Sequence, residues 1–490
     1  MRLTALATLL SASLSLSTAH PTEQVILSTA GAPGLSAEDL AHDVTSHWPL
    51  STQVDDDTTG EGHLSQWSRQ TKEDFLEDLR NNDASEWTVV MGNEAGDLDS
   101  LVSALALAYA FTHTEPPQKA IALLQTEQDA LDLRPENALS LHYSRMSSGH
   151  RDLLTIDELP IKPVELSHRI RGIALVDHNV PRSIWANATV VAIVDHHEDR
   201  GVANGTAEPR IVEPSGSCSS LVTQWLFDNV PGADKKKPEV AGAGAGDGQV
   251  QDDHVHGPLP TELVELLLRT IAIDTGGMGR KSSTPIDLEA AERLFPRSSW
   301  KHRELKEVMK VLDADLSASR KALDDLDLRS LLRRDWKGDS IETKSTKYPS
   351  LSLGFASAPV SLEEQILRTP EQTPPEWFAI ERAWTSEIQA DVTVALTNFR
   401  HPKTKRKTRQ IAIVVAHGYG KRLHEGSANR LFHQLQKAVE SAGIDGLKKW
   451  KRGDGKPLLP RRAVYEYEAK GASRKFWRPK IEQVAREWTG

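Results

Sequence analysis

A single cysteine, Cys218, serves all 490 residues, so no disulfide can form within the chain and the thiol leaves the compartment open. No apolar run reaches the roughly 18–20 residues that a membrane-spanning helix needs. No segment repeats at a fixed period. A glycine-rich phosphate loop is also missing, because Gly276-Gly277 is too short to cradle a nucleotide. A disulfide scaffold, a helical membrane span, a solenoid and a P-loop nucleotide site therefore all drop out. What is left, with 38% hydrophobic and 26% charged residues, suits a globular protein of two or three domains.

Charge is unevenly spread. Residues 400–490 hold 23 Lys+Arg and 8 Asp+Glu, a net of +15, which leaves −25 on the rest of a chain whose total is −10. An acidic front can hold cations, and a basic back can attract polyanions such as phosphates. Two solvated surfaces that attract each other are the plainer reading.

The chain starts Met1-Arg2, continues through apolar and small residues over Leu3–Leu16, and reaches Ser17-Thr18-Ala19. A basic start, an apolar middle and a small-x-small end predict a secretory signal peptide over 1–19, hence a secreted or endomembrane-lumen location. A frayed or disordered tail, with a cytoplasmic location, is the alternative. The sequons at Asn187 and Asn204 fit a secreted chain. Residues 20–70, rich in Ser, Thr, Asp and Gly, predict a loosely ordered lead-in.

From there, short apolar runs of strand type alternate with helical patterns. Thr88–Met91, Ala120–Leu124, Ile173–Val176 and Val190–Val194 read as strands, and Thr71–Arg80, Ser100–Phe111, Ser219–Phe227 and Leu263–Ile273 as helices. Such alternation predicts an α/β fold with a mostly parallel sheet flanked by helices. Residues 231–260 read as a disordered low-complexity insertion. Further on, 301–334 is helical. Strands are predicted at Leu351–Phe355, Asp391–Asn398, Gln410–Ala416 and Val464–Glu468, and a helix at Ser427–Ala442. The basic turn His401–Arg409 suggests a hairpin between two of those strands.

Acidic groups follow four apolar segments: Asp97 with Asp99, Asp177, Asp195 with His196 and His197, and Asp274. Capping of helices would explain any one of them. Four ends on neighbouring parallel strands would instead converge on one edge of the sheet, where open α/β sheets place ligands. Carboxylates crowded there repel unless cations neutralise them, and hard oxygen donors with imidazoles suit Mg²⁺ or Mn²⁺.

The sequence Gly-Asn-Glu-Ala-Gly-Asp-Leu-Asp-Ser at 92–100, then Val-Asp-His-Asn, Val-Asp-His-His and Ile-Asp-Thr, resembles the four motifs of the DHH phosphoesterase superfamily. The later region resembles its DHHA2 domain, shared by family II inorganic pyrophosphatases and eukaryotic exopolyphosphatases. Arg334-Asp335-Trp336-Lys337 and Ser473-Arg474-Lys475 carry that likeness. The resemblance implies a DHH catalytic domain over 71–303 and a smaller α/β DHHA2 phosphate-binding domain with a mixed sheet over 304–490. It also implies two divalent cations, Mg²⁺ or Mn²⁺ with Co²⁺ as an option. Asp97 and Asp177 would hold one ion; Asp99, Asp177, His196 and Asp274 would hold the other. His197 would act at the leaving phosphate, and Arg474, Lys475 and Lys337 would grip the substrate.

One position departs from the pyrophosphatases, which carry His where this chain has Asn93. An amide is a weaker ligand than imidazole. Exopolyphosphatases of the family are similar to this chain in having Asn there. The expectation is therefore an exopolyphosphatase that releases orthophosphate from inorganic polyphosphate. A family II pyrophosphatase and an inactive polyphosphate- or metal-binding relative are the alternatives. The basic stretches His401–Arg409, Lys448–Arg452 and Arg461-Arg462 would suit a long polyanion in a channel, or else are solvated loops. No nucleic acid is expected as a partner, and the chain is expected to be a monomer.

Overall fold

The computed structural model describes residues 60–234, 259–417, 423–451, 458, 460–468 and 471–490. The predicted signal peptide, most of the lead-in and residues 235–258 of the predicted insertion lie outside the described residues.

The first part begins with α1 (His63–Asn81), β1 (Thr88–Met91), α2 (Leu98–Thr112), β2 (Ala120–Leu124), α3 (Pro135–Tyr143), β3 (Leu154–Thr155) and α4 (Pro163–Leu166). It continues with β4 (Gly172–Val176), β5 (Val190–Asp195), β6 (Arg210–Val212), α5 (Cys218–Asn229), α6 (Thr261–Thr275), α7 (Pro285–Leu294) and α8 (Leu305–Lys321). The six strands form one sheet in the order β3-β2-β1-β4-β5-β6, parallel throughout. Buried on both faces, β1, β2 and β4 are apolar without alternation, as such strands must be.

Helix α2 is buried on every side from Leu98 to Phe111, packed between the sheet and α5 and α6. A helix that is apolar all round belongs in such a place. Helix α1 starts earlier than Thr71 because its inward face is polar. Ser65 donates to Asp152 at 2.7 Å, and the Lys72 ammonium donates to Leu153 O at 2.7 Å and Glu158 at 2.6 Å. Hydrophobic periodicity cannot register a face buried through hydrogen bonds.

The second part comprises α9 (Leu328–Arg334), β7 (Trp336–Glu342), β8 (Ser350–Ala358), α10 (Leu362–Leu367), α11 (Pro374–Glu387) and β9 (Val392–Thr397). After these come β10 (Phe399–Arg400), β11 (Lys407–Val415), α12 (Glu425–Glu440), β12 (Lys448–Lys449), β13 (Arg462–Tyr467) and α13 (Arg474–Glu487). Its sheet runs β12-β13-β11-β9-β8-β7 and is mixed, with β8 and β9 parallel and the other neighbours antiparallel. β9 and β11 form the predicted hairpin around the basic turn. Residues from α9, α10 and α11 build a core on one face, and residues from α12 and α13 on the other.

The passage between the two cores falls later than residue 304. Val308, Met309, Leu312 and Leu316 of α8 are buried in the first core, whereas Leu328 and Leu332 of α9 join the second. Helical periodicity across 301–334 carries no mark of which sheet each helix covers.

Trp336 lies over Gly354 on the neighbouring strand and meets Trp384 edge to face at 5.7 Å. A Cβ on Gly354 would stand 1.7 Å from the indole. Gly354→Ala is expected to destabilise the protein by about 1–3 kcal/mol through overpacking. A urea midpoint unchanged from wild type contradicts this packing.

Candidate active site

The acidic groups converge because three adjacent parallel strands, β1, β4 and β5, end side by side. Gly92 lets the loop after β1 pass the start of α2: a Cβ there would be 2.5 Å from Ser100 O. Asp97 caps α2, accepting from Ser100 N at 3.1 Å, and Asp99 follows in the first turn.

Asp177, directly after β4, has φ +58, a conformation that costs a non-glycine residue free energy and often marks a functional position. Its Oδ2 accepts from Asn93 Nδ2 and from Ser100 Oγ, each at 2.6 Å. Its Oδ1 lies 3.1 Å from His196 Nε2 and 3.6 Å from His197 Nδ1. Ligand atoms of Asp177, His196 and His197 all fall within 4.8 Å of one another.

Two histidines follow β5 and are oriented differently. His196 turns Nδ1 to Ser215 O at 3.1 Å, so that N–H donates and Nε2 faces Asp177 and, at 3.8 Å, Asp99. Burial opposes charge on this ring, but Asp177 and Asp99 outweigh it and push the pKa up to about 10. A proton there takes the place a cation would fill. His197 donates from Nδ1 to Asp195 Oδ1 at 2.8 Å, and no hydrogen bond reaches Nε2 of this half-buried ring among the described residues. Asp195 itself is buried, anchored by Asn179 and the His196 N–H.

Asp99 reaches across to the start of α5. It accepts from Cys218 N at 2.7 Å, Ser219 N at 2.8 Å and Ser217 Oγ at 2.9 Å. Free backbone N–H groups at a helix start favour such a carboxylate. Asp287 fixes this start from α7 by accepting from Gly216 N and Ser220 Oγ.

Asp274 is not at a strand end. It lies in the last turn of α6, and the apolar run before it is that helix. Its Oδ2 is buried with no hydrogen-bond partner among the described residues. Burial, with the charges of Asp99 and Asp97, pushes its pKa well above the carboxylate range. Burial and Asp97 likewise raise Asp177, to about 6. Burial also works against ionisation of Asp97, yet Arg134, Lys337, the Ser100 N–H and Arg320 hold it down at about 2. An orphaned carboxylate oxygen among crowded acids, with an imidazole lone pair beside them, fits a divalent cation.

Asn93, the weakest of the expected ligands, is engaged in hydrogen bonds within the site. Its Oδ1 accepts from Ala95 N at 3.0 Å and its Nδ2 is spent on Asp177, so both ends of the amide are occupied. Among the basic residues, Lys337 of β7 faces Asp97 and Asp177 across the boundary between the two parts and helps hold Asp97 down. Arg474 pairs with Asp335 at 3.0 Å. Lys475 is exposed, and no hydrogen bond or ion pair joins it to the acidic cluster among the described residues.

Sequence reasoning missed Arg134, Arg320, Arg182 and Arg478. Arg134 donates to Ala95 O at 2.9 Å, and Arg182 and Arg478 join Lys337 in holding the half-buried Glu94 below its usual pKa against the cost of desolvation. Only Arg478 had a signal, one helical turn beyond Arg474 on the same face. The others come from distant loops and helices.

Residues 87–244 match the family described as DHH family, N-terminal domain. The chain is 29% identical over 279 residues to the Schizosaccharomyces pombe protein named "Putative exopolyphosphatase", covering 56% of this chain and 65% of that one. It is 28% identical over 357 residues to "Exopolyphosphatase PRUNE1" of Mus musculus, covering 70% and 67%. A third relative, 28% identical over 147 residues, is the "Probable manganese-dependent inorganic pyrophosphatase" of Lactiplantibacillus plantarum, covering 29% and 41%. The chain thus spans about two thirds of the length of the first two.

Because its folded pKa is raised, Asp274 contributes stability fully below about 3.8, and that contribution is lost as pH rises through the folded value. In chelator, Asp274→Asn, neutral at every pH, should match or exceed wild-type stability near pH ~7 and change less between about pH 4 and 7. The same variant should bind Mn²⁺ at least about tenfold more weakly. Calorimetric titration showing unchanged Mn²⁺ affinity would remove Asp274 from the ligand set.

Proposed function

We propose that this chain, whose residues 87–244 belong to the DHH family, is a divalent-metal-dependent exopolyphosphatase that hydrolyses terminal phosphoanhydride bonds of inorganic polyphosphate. The observation that carries the reading is the meeting of Asp177, His196 and His197 within 4.8 Å, with Lys337 of the second part facing the same carboxylates. The exopolyphosphatases among its relatives support the substrate class.

Asp97, Asp99, Asp177, His196 and Asp274 would hold two ions. The manganese in the name of the bacterial relative supports Mn²⁺, and the oxygen-rich donor set suits Mg²⁺ as well. When bound, such ions neutralise phosphate oxygens and make water a better nucleophile.

The chain's own groups do the rest. Asp195 fixes the His197 ring through Nδ1, so a proton held at Nε2 would pass to the oxygen of the departing chain as the P–O bond breaks. Lys337 and Arg474 bind phosphate oxygens, and their charges match the negative charge spread over the transferred phosphoryl group. Lys475, exposed beside Arg474, meets the outer part of a chain. Asn93 and Ser100 hold Asp177 against the repulsion of its neighbours.

Released phosphate from long-chain polyphosphate, tripolyphosphate and pyrophosphate, each with Mg²⁺ or Mn²⁺, tests the reading. The long chain should be preferred; preference for pyrophosphate would make this a pyrophosphatase, the reading its bacterial relative supports. His197→Gln should lower kcat by about 10²–10⁴-fold with little change in KM. Arg474→Ala should act mainly on KM.

We also propose that the chain enters the secretory pathway. The leader over 1–19 supports this, as do the exposed positions of Asn187 and Asn204. Secreted protein from a eukaryotic host should start at His20 and shrink on endoglycosidase treatment. Retention in the cytosol with Met1 intact would refute it.

A further inference from the structure

A cavity of about 240 Å³ lies far from the acidic cluster, lined by Arg382, Ser386, His417, Arg461 and Arg462 and by the end of β11. Arg462 pairs with Val414 at that end of β11. The second sheet separates it from the substrate side. Trp336 packs in the core under α11, so its neighbour Lys337 points to the opposite face. Three strand spacings, from β7 to β11, add roughly 14 Å. Arg461-Arg462 therefore cannot share a channel with Lys337 and Arg474.

Among the described residues the cluster is short of negative charge. Arg382 is exposed at the mouth and makes no hydrogen bond or ion pair among the described residues. Arg461 is 9% exposed, and its Nε and that of Arg462 have no partner among those residues. Arg461 donates to Asn429 Oδ1 at 2.8 Å and to His417 Nε2, which leaves that ring an acceptor. Two carboxylates are near among the described residues. Glu425 stands 3.6 Å from Arg461 and is mostly exposed. Glu381 lies behind Thr385 and Thr393, and burial raises its pKa, which weakens it as a counter-charge. Helix α11 ends beside the cavity, and arginines can serve helix-end carbonyls. No hydrogen bond joins these three to an α11 carbonyl among the described residues.

We propose that this cavity is a second anion site, built for a phosphoryl group and separate from the metal-binding cluster. Three guanidinium groups line one space; Arg461 is engaged with Asn429 and His417 and Arg462 donates to Pro460 O at 2.9 Å, and the remaining N–H groups with the whole Arg382 fork match the several oxygens of a phosphate better than a singly charged carboxylate. The volume is below that of typical small-molecule pockets. Free orthophosphate and the end of a polyphosphate chain share this chemistry. The inference stands apart from the catalytic reading, since it needs neither metal nor turnover.

Calorimetric titration of the full chain in chelator tests it, with orthophosphate and with long-chain polyphosphate as separate ligands. Orthophosphate binding should persist in Lys337→Ala and fall about tenfold in Arg382→Ala, a variant at an exposed position. Metal-dependent hydrolysis of tripolyphosphate by Arg382→Ala should stay at the wild-type rate. A loss confined to the polyphosphate arm identifies a chain end as the ligand, and one confined to orthophosphate identifies the free ion. Equal binding of both ligands by Arg382→Ala, Arg462→Lys and wild type overturns the proposal. Independently of any variant, orthophosphate should protect Arg382 and Arg462 from phenylglyoxal, read by mass spectrometry; lack of protection also overturns it.

Discussion

Mutual repulsion among crowded carboxylates, Asp99 and Asp177 buried and Asp97 and Asp274 partly so, is the constraint around which this protein is built. Asp97, Asp99, Asp177 and Asp274 meet at the ends of strands and helices, where water is too scarce to screen them. The fold answers with fixed donors and remote cations. Asp99 is satisfied by the start of α5. Asp97 is held ionised mainly by Arg134 and Lys337. Asp177 and Asp274 are left with the balance unresolved, which is where a cation has most to gain.

The same electrostatics joins the two parts of the chain. Arg333 pairs with Glu127 and Asp129, Arg334 with Glu136 at 2.8 Å, and Asp335 receives both Arg134 at 3.6 Å and Arg474 at 3.0 Å. Ser183 also bonds Asp339 across the gap. Lys337 reaches the cluster because β7 begins immediately after these anchors. The basic second part therefore serves the acidic first part through a few placed residues, while Arg461 and Arg462 lie on the far face of their sheet.

Four of the six strands of the first sheet, β1, β2, β4 and β5, were legible as short apolar runs, whereas the two-residue β3 and the half-buried Arg-Ile-Val of β6 carry no such signal. The second sheet was legible where strands are long, as in β8 and β11. β7 was missed: Trp-Lys-Gly-Asp-Ser-Ile-Glu is too polar to read as a strand and is held by pairing to β8. The early start of α1 was hidden by its polar inner face. Asp274 was found by residue type and order, and Leu263–Ile273 reads as the helix it is, but counting Asp274 among the strand ends was wrong.

Residue order by itself determined that acids and imidazoles follow successive apolar segments, since strand periodicity and motif spacing are local properties of a chain. Only the tertiary structure decided which of them share a point in space. Strand order put β1, β4 and β5 side by side, α6 brought Asp274 in from outside the sheet, and the Asn93 amide was set against Asp177. It also split the basic residues between two faces of one sheet. Contacts between distant segments depend on how layers pack, and packing leaves no periodic trace in sequence.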